Sequence, residues 1–221
     1  MTATPDADVE QRARLSLGRS HHRIYQIVAE VLAARGAGGA LADIGCGSGD
    51  LWRALVGPFR SCIGVDAVRY DGLPPDVEFH TADLDAARLP LTDARVDAAA
   101  AVEVIEHLEN PRAFVRELAR IVRPGGWVVV TTPNQLSALS LLTLALKGRF
   151  SAFQDNAYPA HRTALLEIDL RRIMTESGLR DLAVTYTRLG RLPLSAWHYP
   201  DAVARLAPQR LSDNVVIAGR R

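Results

Sequence analysis

The stretch Asp43-Ile44-Gly45-Cys46-Gly47-Ser48-Gly49 constrains this chain more than any other part of it. It lies between a short apolar run, Ala40–Ile44, and a run from Leu51 to Val56 that suits a helix. Glycines at alternate positions let a backbone turn sharply from strand to helix and let a ligand approach the main chain closely. The spacing is D-x-G-x-G-x-G. The dinucleotide pattern G-x-G-x-x-G fails, because Asp50 stands where its third glycine belongs. Asp66 closes the next apolar run, Cys62–Asp66. It follows the glycines by about 20 residues, where an acid can accept hydrogen bonds from both hydroxyls of a ribose. Asp83 closes a third run, in Thr81-Ala82-Asp83-Leu84, beside the expected adenine pocket.

The remaining periodicity extends this beginning into a sheet. Further apolar runs occupy Val96–Val102 and Trp127–Thr132, and helical spacing marks Gly18–Arg35, Pro111–Val122 and Thr163–Ser177. Alternating strands and helices with near-continuous apolar strands predict an α/β fold: a mostly parallel sheet with helices on both faces. Leu179–Thr187 and Asn214–Ala218 add two strands without a full helix between them, so they are expected to pair antiparallel at one edge, for seven strands in all. The 221 residues suit one domain of ordinary size with an insertion. Within it, 1–17 reads as a flexible tail, 134–162 as a lid or substrate-binding insertion, and 190–212, with Trp197-His198-Tyr199, as a second irregular excursion.

Composition narrows the function classes. Hydrophobic residues at 48% and charged residues at 23% exclude wholesale disorder. A net charge of +1 gives no general field to hold nucleic acid, which argues against that partner. Two cysteines, Cys46 and Cys62, cannot make a disulfide framework, and a reducing cytoplasm is the simplest setting. The N-terminal MTATPDADVEQRAR has no apolar core, so no signal peptide is expected, and no stretch is long enough for a transmembrane segment. The leucine-rich Leu136–Phe150 could form a lid helix, a homodimer contact or a membrane-surface contact, with plain packing the default.

Glu103, Glu106 and His107 follow the fourth strand at i, i+3 and i+4, so one helical turn would bring them to one side. Two carboxylates and an imidazole suit a divalent cation, with magnesium or manganese favoured and zinc or iron open. His161, at the end of the insertion, is the natural fourth ligand. Without a metal, His107 or His161 becomes a general base.

LADIGCGSGD, GVDA, TADL, VEVIEHLENP and RPGGWVVVTTPN, in this order over roughly residues 40–135, resemble the class I S-adenosylmethionine-dependent methyltransferases. The resemblance implies a Rossmann-like fold with S-adenosylmethionine as cofactor. It implies that Gly45, Cys46 and Gly47 belong to the turn flanking the cofactor's methionine part, and that Asp43 orders that turn. Asp66 would hold the ribose, Ala67 would face the adenine, Asp83 and the Leu84 amide would bind its amino group, and Glu103 would line the pocket. E-x-x-E-H with a later histidine also resembles metal-dependent O-methyltransferases, which would make Glu103, Glu106, His107 and His161 ligands of Mg2+ and His107, His161 and Glu106 catalytic. An amino-methylating D/N-P-P-Y/F signature is absent, and TTPN stands after the fifth strand instead. That segment is similar to bacterial enzymes that tailor saccharides. The expectation is therefore an O-methyltransferase acting on a hydroxyl of a small-molecule or oligosaccharide acceptor. Quinone or catechol O-methylation, 2′-O-methylation of an RNA 3′ end, and cofactor binding without turnover are the alternatives.

Overall fold

The apolar runs become strands in a computed structural model that describes residues 5, 7–15, 18–86, 88–193 and 195–221. They are β1 (Gly39–Ile44), β2 (Phe59–Asp66), β3 (Glu78–Thr81), β4 (Val96–Ala101), β5 (Val122–Pro133), β6 (Arg180–Tyr186) and β7 (Asn214–Arg220). They form one sheet in the order β3-β2-β1-β4-β5-β7-β6. The first five strands pair in parallel, while β7 runs antiparallel to both β5 and β6. The expected seven-stranded, mostly parallel Rossmann-like sheet with an antiparallel edge is thus observed. The strand order reverses between β1 and β4, and such sheets bind ligands in the crevice outside the carboxyl ends there.

Seven helices are described: α1 (Ala7–Leu15), α2 (His22–Ala33), α3 (Asp50–Ala54), α4 (Pro111–Ile121), α5 (Ala138–Lys147), α6 (Glu167–Glu176) and α7 (Asp201–Ala204). The helical stripe in α2 buries Ile24, Ile27, Val28, Val31 and Leu32 with Leu41, Ala98, Val129 and Val216 on one sheet face. Phe114, Val115 and Leu118 of α4, with Leu170, Ile173 and Met174 of α6, pack on the other. Truncating such a side chain to alanine costs about 2–5 kcal/mol, so these two layers hold the sheet's carboxyl edge in place. Asn110 caps α4, accepting the Ala113 N–H at 3.0 Å, and Pro111 occupies the first turn, where no N–H is needed.

The three segments set apart by the sequence contain local secondary structure. Within the span read as a flexible tail, Ala7–Leu15 is helical; residues 1–4, 6, 16 and 17 lie outside the described residues. Residues 134–162 contain α5, whose Leu142, Leu144 and Leu146 are exposed, then a short 3-10 turn at Asp155–Ala157. Residues 190–212 contain α7 and an antiparallel bridge between Arg191 and His198. Among the described residues no helix is long and apolar enough to cross a membrane.

Candidate active site

The glycine turn folds as its residue types require. Gly45 and Gly47 have φ of 75° and 52°, the left-handed region that costs an L-residue roughly 1–2 kcal/mol. A Cβ at Gly47 would overlap the Gly18 carbonyl oxygen, which accepts the Ser48 N–H at 3.2 Å. The segment before α2 is therefore laid directly on the turn. Asp66, at the end of β2, ties the two strand ends together. Its Oδ2 accepts the Gly47 N–H at 2.8 Å and its Oδ1 accepts the Ala67 N–H at 2.7 Å. Burial raises the Asp66 carboxyl, and these two amides oppose that shift.

Beside the turn lies a cavity of about 520 Å3, within the size range of small-molecule sites. Of the residues expected to meet the cofactor, Gly45, Asp66, Ala67, Asp83, Leu84 and Glu103 line it. Asp43, Cys46 and Gly47 stand behind the wall, because the Gly18 segment covers Gly47, and Asp43 and Cys46 are buried. Burial pushes the Cys46 thiol far up, so it is no nucleophile. Asp43 is buried with Oδ2 lacking any hydrogen-bond partner. Burial and the neighbouring Asp66 push its carboxyl up to about 8. A cavity bordered by Asp66, Asp83 and the Gly45 main chain fits a polyhydroxylated ligand such as an adenosyl sulfonium.

The same cavity wall carries Glu106, His107 and His161. Each offers one ligand atom, and these atoms lie within 4.8 Å of one another. Three donors on one cation at bonds of ~2.1 Å lie about 3–3.6 Å from one another, so the cluster would have to draw in by about an ångström to hold one. Backbone carbonyls fix both imidazoles. His107 Nδ1 lies 2.9 Å from Ala160 O, and His161 Nδ1 lies 2.6 Å from Ala152 O. A carbonyl only accepts, so His161 Nδ1 carries the proton and its Nε2 keeps the lone pair, the arrangement that orients metal-binding histidines, while His107 has both the Ala160 and Glu103 main chain as partners. Burial lowers both imidazoles, with His107 adding to the effect on His161, so they are neutral near pH 7. Burial raises the Glu106 carboxyl to about 8, against a hydrogen bond from Thr132 Oγ1 at 3.2 Å.

Glu103 stands apart from this cluster, a correction to the four-ligand expectation. Residues 105–107 form a single 3-10 turn and Glu103 lies before it, at φ 55°. The helical turn that would have aligned Glu103 with Glu106 does not exist. Its Oε1 accepts from Thr131 Oγ1 at 2.7 Å and its Oε2 from Asn214 Nδ2 at 2.6 Å, which aims it at β5 and β7. Burial and the nearby Glu106 hold the Glu103 carboxyl well above its usual range.

Several wall residues escaped the sequence reading. Val9, Ala13 and Gly18 come from the N-terminal segment, and Asn156–Ala160 stand beside the expected His161 in the segment read as a lid or substrate-binding insertion. Tyr25 lines the cavity and accepts the Ser20 N–H at 2.9 Å, while burial pushes its phenol up to about 12. The Thr-Thr pair ending β5 was a usable signal for the partners of Glu103 and Glu106, whereas nothing in the polar α1 sequence marks it as a wall.

Comparison with known proteins places the chain in a family. A family model described as a methyltransferase domain matches residues 17–184. A Mycobacterium tuberculosis protein described as a probable S-adenosylmethionine-dependent methyltransferase is 32% identical over 189 residues, covering 81% of this chain. The chain spans only 60% of the length of that relative. A ubiquinone biosynthesis O-methyltransferase of Thiobacillus denitrificans is 27% identical over 160 residues, covering 67% of this chain and 68% of that protein. Among solved structures, an S-adenosylmethionine-dependent methyltransferase from Archaeoglobus fulgidus matches 98% of this chain and 100% of its own, with a TM-score of 0.64 at 14% identity, a likeness of fold.

Proposed function

The chain belongs to the class I S-adenosylmethionine-dependent methyltransferases, and from that premise we propose that it methylates a hydroxyl oxygen of a saccharide acceptor beside a divalent cation, magnesium for choice. One observation carries the reading: Asp66, Asp83 and Gly45 share a single cavity with Glu106, His107 and His161. Binding groups for a methyl donor and proton-accepting groups for its partner thus face the same space.

When bound, S-adenosylmethionine supplies a methyl group already activated by sulfonium. Asp66 and Asp83 hold the adenosine part from the ends of β2 and β3, and Gly45 lets the main chain come close. The chain's remaining tasks are to orient the acceptor hydroxyl, exclude water and take its proton. The Nε2 atom of His161 is placed to take that proton on a neutral ring, and His107 stands beside it, held by the Ala160 and Glu103 main chain. Glu106, His107 and His161 would also hold a divalent cation, whose chemistry there is to lower the pKa of a hydroxyl. Ubiquinone O-methyltransferases among the relatives favour a second reading with a catechol-like acceptor.

Labelled-methyl transfer to sugars, catechols and a short RNA, with chelator, magnesium or manganese, tests this. Transfer to sugars that stops with chelator and returns with either metal is expected. Glu106→Gln and His107→Ala should abolish it, and should remove Mn2+ binding seen by electron paramagnetic resonance, while S-adenosylhomocysteine affinity stays within about twofold. Full activity in chelator without Mn2+ binding removes the cation and leaves the imidazoles as bases, which a pH–rate profile then locates.

A further inference from the structure

Next to the main cavity lies a second one, of about 290 Å3, and the two share Ser20 and Glu103 in their walls. Its floor is the carboxyl end of the sheet, with Pro133 closing β5 and Asn214 opening β7. Its sides come from three separate segments: His21 and Ile24 at the start of α2, Ser151 and Ala152 of the 134–162 insertion, and Leu189, Arg191 and His198, with Arg191 bridged to His198. The cofactor reading leaves this space unused.

We propose that this second cavity binds the ring of a neutral saccharide acceptor, whose reacting hydroxyl reaches past Glu103 into the main cavity. The inference rests on the O-methyltransferase reading and names its acceptor class. Three observations support it. Asp213 lies in this wall, and its Oδ1 is buried with no hydrogen-bond partner, an acceptor in need of a hydroxyl donor. His21 Nδ1 accepts the Arg23 N–H at 3.2 Å, so the neutral ring carries its proton on Nε2 and offers a donor. A hydroxyl both donates and accepts, and a wall with one free acceptor and one free donor matches adjacent hydroxyls.

The charge balance points the same way. Arg191 Nε donates to Asp213 Oδ2 at 2.9 Å, so that pair cancels, and Glu103 spends both its oxygens on Thr131 and Asn214. No unbalanced cation calls for a phosphate or carboxylate. Ile24, Pro133 and Leu189 supply an apolar patch beside the polar groups. A sugar ring has hydroxyls around its rim and a C–H face, and it meets both kinds of wall.

Histidine ring resonances of the intact chain, saturated with S-adenosylhomocysteine, give a direct test. They are followed by NMR during titration with methyl glycosides of glucose, galactose, mannose, rhamnose and fucose, and separately with catechol. At least one glycoside should shift the His21 and His198 signals in a saturable way, and catechol should not. Asp213→Asn and His21→Gln should each weaken that binding at least about fivefold, with S-adenosylhomocysteine affinity by calorimetry unchanged. Two variants guard against one that misfolds. Shifts with catechol alone, or with no probe while S-adenosylhomocysteine binds normally, overturn the proposal. Failure of the chain to bind S-adenosylhomocysteine overturns the underlying methyltransferase reading instead.

Discussion

The carboxylate of Asp66 has one observed task and one expected from the sequence. The sequence assigns it to a ligand's ribose, which makes Asp66→Ala a pure binding variant. The structure shows both its oxygens already accepting N–H groups, from Gly47 and Ala67. A carboxylate has about four acceptor sites, so ribose hydroxyls can still be added. Removing it strands two backbone donors, at about 1–3 kcal/mol each if they stay buried. Asp66→Ala should therefore lower urea stability of the cofactor-free chain as well as S-adenosylhomocysteine affinity; lost affinity at unchanged stability would restore the simpler role. Asp43 makes a pH prediction. Its carboxyl is raised to about 8 in the fold from 3.8, so the folded state keeps a proton that the unfolded chain releases. Its contribution to stability is complete at low pH and is lost as pH rises toward 8, by at most about 1.4 kcal/mol per pH unit. Asp43→Asn should flatten the decline in urea midpoint between pH 5 and 8, and an unchanged slope would refute this. These acids were legible because they fall at strand ends. The direction of Glu103 was not, since a left-handed φ at a non-glycine residue leaves no trace in residue spacing.

Among the elements, α2 and α4 were legible because a stripe of large apolar residues has to be buried somewhere. The polar sequence of α1 carries no such stripe, so its helical form and its place in the cavity wall could not be read. The 3-10 turn at Ile105–His107 shows a related limit. Spacing counted on 3.6 residues per turn places Glu103, Glu106 and His107 together, but a three-residue turn joins only the last two to His161. Convergence with His161 still arises, since the Arg162 and Thr163 N–H groups donate to the Glu106 carbonyl at 2.9 and 3.0 Å and fasten the insertion there. The glycine turn offers its own test. Gly47→Ala meets both an unfavourable φ and the Gly18 carbonyl. It should cost at least about 2 kcal/mol and weaken S-adenosylhomocysteine binding about tenfold or more, as read by urea unfolding and calorimetry. A silent variant would mean that the segment before α2 shifts without cost.

For the whole molecule, alternation of strand and helix was enough to give the sheet, its parallel majority and its antiparallel edge. It could not give the insertion of β7 between β5 and β6, because that neighbour choice depends on which edge remains open once the earlier strands have docked. Nor could it show that two remote parts of the chain share one cavity wall: Val9, Ala13 and Gly18 on one hand, Asn156–His161 on the other. That shared cover has a consequence for timing. If spent donor leaves as α1 lifts, with every strand still paired, the residence time of the product follows the opening of a short helix rather than of the sheet. Removing residues 1–17 should speed S-adenosylhomocysteine release in stopped-flow measurements by about tenfold, equivalent to roughly 1.4 kcal/mol, with association little changed. If release also limits turnover, α1 acts as a clock for the cycle, and anything that grips or frees it resets the pace without touching the chemistry.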